Sequence, residues 1–103
     1  MLNPQVSIIV PIYDASEYLR PCLDSLIGQR LEALEIILIN DCSPDPMDEK
    51  ICLEYKAKDP RIVYLRHETN QGPGGARSTG LHRASAPYIG FVDSDDLVHE
   101  DMF

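Results

Sequence analysis

The residues with the clearest capacity for chemistry are the carboxylates that follow the apolar run at residues 88–92. Asp93 and Asp95 stand two positions apart, so in extended backbone their side chains share a face while Asp96 points away. Two convergent carboxylates offer only oxygen ligands, which Mg²⁺ and Mn²⁺ prefer and Zn²⁺ does not. An Asp-rich turn after a strand would leave the same pattern. The motif alone therefore leaves a metal site and a plain turn as alternatives.

Polar residues of other kinds follow the three earlier apolar runs of the chain. Pro11, Tyr13 and Asp14 end the first run and offer an aromatic face for a flat base beside a carboxylate. Asp41 ends the second run, where a carboxylate can accept a hydrogen bond from a nucleobase. Arg77 follows the third run after a glycine-rich turn, and its guanidinium can pair with phosphate. Each residue also has a plain structural use, and only their common position argues for a site.

The segments that must position these residues are four short apolar runs, each continuous rather than alternating. They cover residues 6–12, 36–39, 62–65 and 88–92. Continuous runs are typical of strands buried on both faces, and segments with helical spacing lie between them. The order β-α-β-α-β-α-β predicts a Rossmann-like α/β fold, a parallel sheet with helices on both faces. Ligands bind such sheets outside the carboxyl ends of the strands, where all four polar groups lie.

The helices are predicted from apolar spacing and from the residues at their boundaries. Asp14 and Glu17 resemble a capping box at the start of the first helix. Pro21 lies deeper in the same helix and predicts a kink or a fresh helix start just before it. Further helical segments are expected at residues 45–58, 75–84 and 97–101.

The composition places these elements in one small domain. The chain has 103 residues, of which 44% are hydrophobic, enough for a single core. A formal charge of −8 argues against nucleic acid as a partner, because a protein that binds the phosphate backbone carries a basic face. No apolar run approaches the ~18 residues that span a bilayer, and no secretory leader is evident. We expect a cytoplasmic protein with reduced cysteines; the inner face of the membrane is the alternative for a longer protein.

Two common nucleotide-binding motifs are absent from the sequence. No G-x-G-x-x-G follows the first strand, and the glycines of residues 72–75 are not followed by Lys and Ser or Thr. Neither a dinucleotide fingerprint nor a P-loop is therefore present. A receiver-like phosphoryl-transfer domain would place a lysine at a later strand end, and none follows the fourth run. The remaining interpretation is a site that binds a nucleobase at one end and a metal ion at the other.

Four ordered motifs resemble those of the family 2 glycosyltransferases, nucleotide-sugar-dependent enzymes of GT-A fold. Residues 6–14 resemble V-S-[IV]-[IV]-[IV]-P-x-Y-N, and residues 37–45 resemble [IV]-[IV]-x-[DN]-D-G-S-x-D. Residues 70–80 resemble N-x-G-x-x-x-A-R-N-x-G, and residues 91–96 resemble F-x-D-[SA]-D-D. The resemblance runs over residues 6–102, which is nearly the whole chain.

The resemblance implies a role for each residue of the base-binding end. Tyr13 would stack near the uracil or other base, with Pro11 and Asp14 beside it. Asp41 would hydrogen-bond the base. Asp14 replaces the asparagine usual in the family, which puts the base preference in question.

The same resemblance assigns the diphosphate end of the donor. Arg77 would lie near the diphosphate, and Asp93 would touch the ribose, with Ser94 in the same donor site. Asp95, together with Asp93, would bind the Mg²⁺ or Mn²⁺ that bridges the diphosphate. Cys42 and Ser78 depart from the usual Gly and Asn, and Cys42 adds a Cβ where the backbone is expected to need a positive φ.

The family's acceptor site and catalytic base lie after the D-x-D motif, so we expect them beyond Phe103. Residues 1–103 are then the donor-binding half of an inverting glycosyltransferase that acts on an unknown glycan or lipid-linked glycan acceptor. By themselves they would bind the donor without turning it over. The alternative is a non-catalytic nucleotide-binding module that associates with itself through a bare sheet edge. The sequence therefore leaves open whether the chain forms a homo-oligomer.

Overall fold

A computed structural model describes residues 3–103, in which four parallel strands form one sheet between helices. The elements in chain order are β1 (Val6–Ile12), α1 (Ser16–Ile27), β2 (Leu34–Asn40), α2 (Pro46–Lys58), β3 (Ile62–Arg66), α3 (Gly72–Arg83) and β4 (Tyr88–Phe91). The strand order is β3-β2-β1-β4, and every neighbouring pair is parallel. The predicted α/β fold is confirmed. The chain reverses its direction across the sheet between β1 and β4, which makes the carboxyl ends of these two strands the topological switch point.

The two faces of the sheet carry separate apolar cores. Alternate residues of a strand point to opposite faces, so Ile8 and Val10 of β1 pack with α1 and α2 while Ile9 packs with α3. The core on the α3 side is the smaller one and is formed by Ile9, Ile37, Ile39 and Ala76. Helices therefore lie on both faces, as the continuous apolar runs predict.

Gly80 brings α3 close to the sheet. A Cβ atom placed on Gly80 would lie 2.5 Å from Ile9 Cγ2 and 3.1 Å from Ile39 Cδ1, nearer than packed carbon atoms approach. Ala76 is fully buried one helical turn earlier, so small side chains line the contact of α3 with the sheet. This close approach holds the first turn of α3 at the carboxyl edge of the sheet.

We expect Gly80→Ala to lower the free energy of unfolding by about 1 to 2 kcal/mol, because overpacking against Ile9 outweighs the better helix propensity of alanine. Gly74→Ala is the matched control, since a Cβ atom at Gly74 would have no neighbour within 4 Å. The control should gain about 0.5 to 1 kcal/mol. Urea denaturation of both variants measures the difference. Equal stabilities would contradict the close packing of α3.

The start of α1 differs from the prediction. The helix begins at Ser16 with Ala15 as its N-cap residue, and no side-chain hydrogen bond caps it from within the same segment. The Asp14–Glu17 capping box is therefore wrong. Asp14 adopts a left-handed φ of 50° and donates its backbone N–H to Ser43 Oγ at 3.0 Å. Instead, the Ala15 N–H reaches the buried carboxylate of Asp48 in α2, at 3.1 and 3.3 Å.

Pro21 does not start a new helix. The helix α1 continues through it from residue 16 to residue 27. Proline removes the N–H that would bond the carbonyl of Glu17, and both residues lie on the exposed side of α1. Water can therefore hydrate the carbonyl that the proline leaves without a helical partner.

The other boundaries shift for identifiable reasons. The helix α3 begins at Gly72 rather than Gly75, because Pro73 fits a first helical turn and the Asp41 carboxylate accepts the N–H groups that precede it. The predicted helical turn at residues 97–101 is wrong. That segment is held against the end of α1 instead: the Arg30 N–H donates to the Glu100 carbonyl at 2.8 Å.

The three cysteines differ in their burial. All three cysteines are free thiols, and burial raises the pKa of Cys22 and of Cys52 to about 12. Cys42 is partly exposed and has the predicted positive φ, at 56°. Within residues 3–103, none of the helices combines the length and the apolar character needed to cross a bilayer.

Candidate functional site

A cleft of about 400 Å³ opens at the carboxyl edge of the sheet, beside the switch point between β1 and β4. The structure brings six of the predicted donor-site residues to its wall: Pro11, Tyr13, Asp41, Arg77, Asp93 and Ser94. The rest of the wall is formed by Ile12, Asn70, Gly72, Pro73 and Ala76. This volume lies in the usual range of small-molecule sites. The four groups of polar residues at strand ends thus meet in one cavity.

The end of β1 contributes Tyr13 but not Asp14. The side chain of Tyr13 is 52% exposed and lines the cleft, so its ring is available to a ligand rather than packed in the core. Asp14 is exposed and lies outside the wall of the cleft. Its left-handed conformation turns the chain from β1 toward α1, a structural use that does not require a ligand.

Asp41 is the most constrained residue of the cleft, with only 3% of its surface exposed. Its Oδ1 accepts hydrogen bonds from His67 Nδ1 and from the Gln71 N–H, both at 2.8 Å. Its Oδ2 accepts the Gly72 N–H at 2.9 Å. Burial raises the pKa of Asp41, but these hydrogen bonds outweigh burial and hold the pKa below its usual value. Asp41 is therefore an ionised carboxylate that fixes the start of α3.

Arg77 brings a positive charge to the opposite wall. It lies in the second turn of α3, near a helix N-terminus that itself favours anions. Its Nη2 is 3.6 Å from Asp93 Oδ1, and both side chains are substantially exposed. An exposed pair of this kind contributes little stability. Arg77 can therefore exchange its carboxylate partner for a bound phosphate at little cost.

The acidic residues after β4 form a tight cluster rather than an extended row. Each of Asp93, Asp95 and Asp96 places a carboxylate oxygen within 4.8 Å of the others. The expectation that Asp96 points away is wrong, because the chain turns at residues 94–95 and the Asp96 N–H donates to the Asp93 carbonyl at 3.0 Å. All three side chains are exposed, and their oxygens suit a hard divalent cation.

Helix α1 holds this acidic turn at both ends. The thiol of Cys22 lies 3.6 Å from the Asp93 carbonyl, and the Val98 N–H donates to Ser25 Oγ at 3.2 Å. Farther on, the ring of Phe103 covers Gly90, where a Cβ atom would be 2.6 Å from Phe103 Cε1. The position of the acidic turn is thus set by the packing of α1 and β4.

Sequence reasoning missed His67 and Thr79. His67 directly follows β3 and is 7% exposed, with its Nδ1 on Asp41 and its Nε2 2.7 Å from Thr79 Oγ1. The sequence does contain a signal for His67, since it is another polar residue at the carboxyl end of a strand. Thr79 gave no signal, because only the folding of α3 over the sheet brings it to His67.

A second cleft of about 400 Å³ lies away from all of these residues and is lined by Ile27, Gln29, Glu32, Leu34, Asp59, Pro60 and Arg61. The guanidinium of Arg61 is already paired with Asp59 at 2.8 Å and also donates to the carbonyls of Ile27 and Glu32. Its charge is therefore satisfied within the fold, and the first cleft is the better candidate.

Curated relatives of the chain are glycosyltransferases. The chain is 44% identical over 101 residues to glycosyltransferase GlyA of Streptococcus pneumoniae, covering 98% of this chain and 14% of that protein. It is 47% identical over 100 residues to the uncharacterized glycosyltransferase EpsJ of Bacillus subtilis, covering 97% of this chain and 28% of that protein. The chain thus spans less than a third of either relative.

Solved structures resemble the chain over nearly its whole length. S. aureus TarS 1-349, solved in complex with UDP, superposes with a TM-score of 0.87 at 33% identity over 94% of this chain and 29% of that one. TarS 1-349 has also been solved with UDP-GlcNAc. The fold is therefore of the GT-A type found in TarS. The family model for glycosyl transferase family 2 matches residues 7–103, and the chain belongs to that family.

Proposed function

We propose that this chain supplies the donor site of a glycosyltransferase that transfers a sugar from a UDP-sugar with the help of Mg²⁺ or Mn²⁺. The observation that carries the proposal is the convergence of polar residues from four separate strand ends on one cleft. The likeness to TarS, which has been solved with UDP and with UDP-GlcNAc, supports uridine as the nucleoside.

In this proposal the nucleobase binds at the β1 and β2 side of the cleft. The exposed ring of Tyr13 provides a stacking surface, which suits a planar base. Asp41 is a carboxylate acceptor in the same wall as Pro11 and Ile12, and it suits the imide N–H of uracil. Asp14 lies outside this wall, so we assign it no contact with the donor.

The diphosphate binds between α3 and the acidic turn. Arg77 offers a cation that can pair with phosphate oxygens, and Asp93 and Ser94 line the wall where the ribose would lie. Asp95, with Asp93, would hold the Mg²⁺ or Mn²⁺, since the all-carboxylate donor set fits a hard cation. When bound, such an ion neutralises the charge that grows on the departing diphosphate.

We assign the catalytic base and the acceptor-binding groups to a part of the longer protein outside these 103 residues. The longer relatives support this division, because the chain spans only 14% and 28% of GlyA and EpsJ. The proposed reaction is an inverting transfer to a glycan or lipid-linked glycan, and the 103 residues alone bind the donor without turnover.

Calorimetric titration with UDP tests the donor site. We expect binding in the presence of Mn²⁺ and an affinity about 100-fold lower in the presence of a chelator, because the uncompensated diphosphate then meets an acidic loop. ADP is the control for base recognition. The absence of any UDP binding would contradict the donor site, and equal affinities with and without Mn²⁺ would contradict the metal role.

A second candidate function is self-association through β4. Three apolar side chains of this strand, Tyr88, Ile89 and Phe91, are between 38% and 71% exposed, and exposed strands of this kind favour pairing with another chain. Measurement of the molecular mass in dilute solution separates the candidates. A strict monomer at all concentrations would contradict the self-associating module.

A further inference from the structure

His67 lies directly behind the acidic residue of the cleft. Its ring is almost fully buried between the end of β2 and the helix α3, with Nδ1 2.8 Å from Asp41 Oδ1 and Nε2 2.7 Å from Thr79 Oγ1. Neither His67 nor Thr79 lines the cleft. Any influence of this pair on a ligand must therefore pass through Asp41.

The hydrogen bonds fix the orientation of the imidazole ring. An ionised carboxylate can only accept, so His67 Nδ1 carries a proton and donates it to Asp41. The hydroxyl of Thr79 has a single proton, and His67 Nε2 at 2.7 Å and the Gly75 carbonyl at 3.1 Å are both within reach of it. When the neutral ring carries its own proton on Nδ1, Nε2 accepts the Thr79 proton. A flipped ring would put carbon atoms where the two nitrogen atoms now lie. The Thr79 hydroxyl therefore helps to hold the ring orientation in which Nδ1 faces Asp41.

Asp41 has one hydrogen-bond acceptor position left for a ligand. A carboxylate accepts about four hydrogen bonds, and His67, Gln71 and Gly72 already provide three. Both bonds to Oδ1 come from the protein, so the remaining position belongs to Oδ2, which accepts only the Gly72 N–H. An Asp41 held in this way offers the cleft one acceptor and no donor.

We propose that His67, held by Thr79, is a positioning residue that keeps Asp41 oriented as a lone acceptor and thereby sets the preference of the cleft for uracil over cytosine. The proposal rests on the proposed donor site. Uracil presents an N–H at ring position 3, whereas cytosine presents a lone pair there, which an ionised carboxylate repels. Without the His67 contact, Asp41 Oδ1 keeps only the Gln71 N–H, so the carboxylate is held less firmly and is easier to protonate, and a protonated Asp41 could donate to cytosine. The discrimination between the bases would then fall.

The test compares the ratio of the UDP and CDP affinities among variants, measured by calorimetry with Mn²⁺ present. We expect the wild type to prefer UDP by at least about tenfold, the factor that one well-placed hydrogen bond gives. His67→Phe removes both ring nitrogens and should remove most of that preference. Thr79→Val removes the hydroxyl at nearly constant volume and should lower the ratio by roughly threefold, whereas Thr79→Ser retains the hydroxyl and should keep the ratio.

The outcomes separate this inference from the proposed function. A wild type that binds neither nucleotide would overturn both. A wild type that prefers UDP, with Thr79→Val and Thr79→Ser showing the same ratio, would overturn the inference alone. An equal loss of affinity for UDP and CDP would also overturn it, because a merely structural role weakens both. If His67→Phe does not fold, as judged by circular dichroism, the Thr79 pair of variants decides the question.

Discussion

Replacing Asp95 with alanine is expected to remove the Mn²⁺-dependent part of UDP binding, a loss of about 100-fold in affinity, or about 2.7 kcal/mol. The acidic cluster consists of Asp93, Asp95 and Asp96, and Asp93 also faces Arg77. Loss of Asp95 leaves a divalent ion with too few carboxylate ligands to hold it beside the diphosphate. Because Asp95 is exposed, the fold itself should not change. Titration of UDP with and without Mn²⁺ measures the effect.

Asp101→Ala is the matched control for this experiment. Asp101 belongs to the same C-terminal segment and is also exposed, but its carboxylate lies 3.3 Å from Arg30 rather than in the acidic cluster. Its removal changes the net charge by the same amount and should leave the metal dependence unchanged. Asp95→Ala with the full Mn²⁺ effect of the wild type would show that the ion is held elsewhere.

The second large effect is expected for Asp48, a fully buried carboxylate at the start of α2. It accepts the Ala15 N–H at the start of α1 and the Ser43 hydroxyl at 2.7 Å. Asp48→Ala leaves a buried N–H without a partner and removes a helix cap. Together these changes should lower the free energy of unfolding by about 3 kcal/mol. Urea denaturation followed by circular dichroism measures the change.

Asp48→Asn tests the reason for that loss. Asparagine keeps an oxygen that, at the position of Oδ2, can accept both the Ala15 N–H and the Ser43 hydroxyl, so it should recover at least about half of the stability. Equal losses in Asp48→Ala and Asp48→Asn would assign the effect to the negative charge rather than to the hydrogen bonds.

The strands and the place of the cleft could be predicted from the sequence because their signals are local. A continuous run such as residues 6–12 indicates a strand buried on both faces, and parallel strands bring their carboxyl ends to one edge. The polar residues that follow the runs, such as Tyr13 and Arg77, could therefore be placed in one cleft without knowledge of the fold. Their roles in donor binding remain predictions.

The remaining features depend on contacts between segments distant in sequence. The cap of α1 comes from Asp48, which is 33 residues away from Ala15, so the nearby Asp14 was the wrong choice. The start of α3 depends on Asp41 in the same way. His67 and Thr79 meet only after α3 has folded over the sheet. Local propensity contains none of this information, because it does not describe which side chains the topology brings together.

The uneven burial of the three cysteines has a chemical consequence. Only a thiolate attacks an alkylating reagent, so the two sulfurs enclosed by α1 and α2 are protected from modification. Cys42 is the partly exposed sulfur of the three, and it directly follows Asp41 of the cleft wall. We therefore expect a thiol-reactive fluorescent dye to label the chain at Cys42 alone. A dye beside Asp41 should change its emission when a nucleotide binds in the cleft.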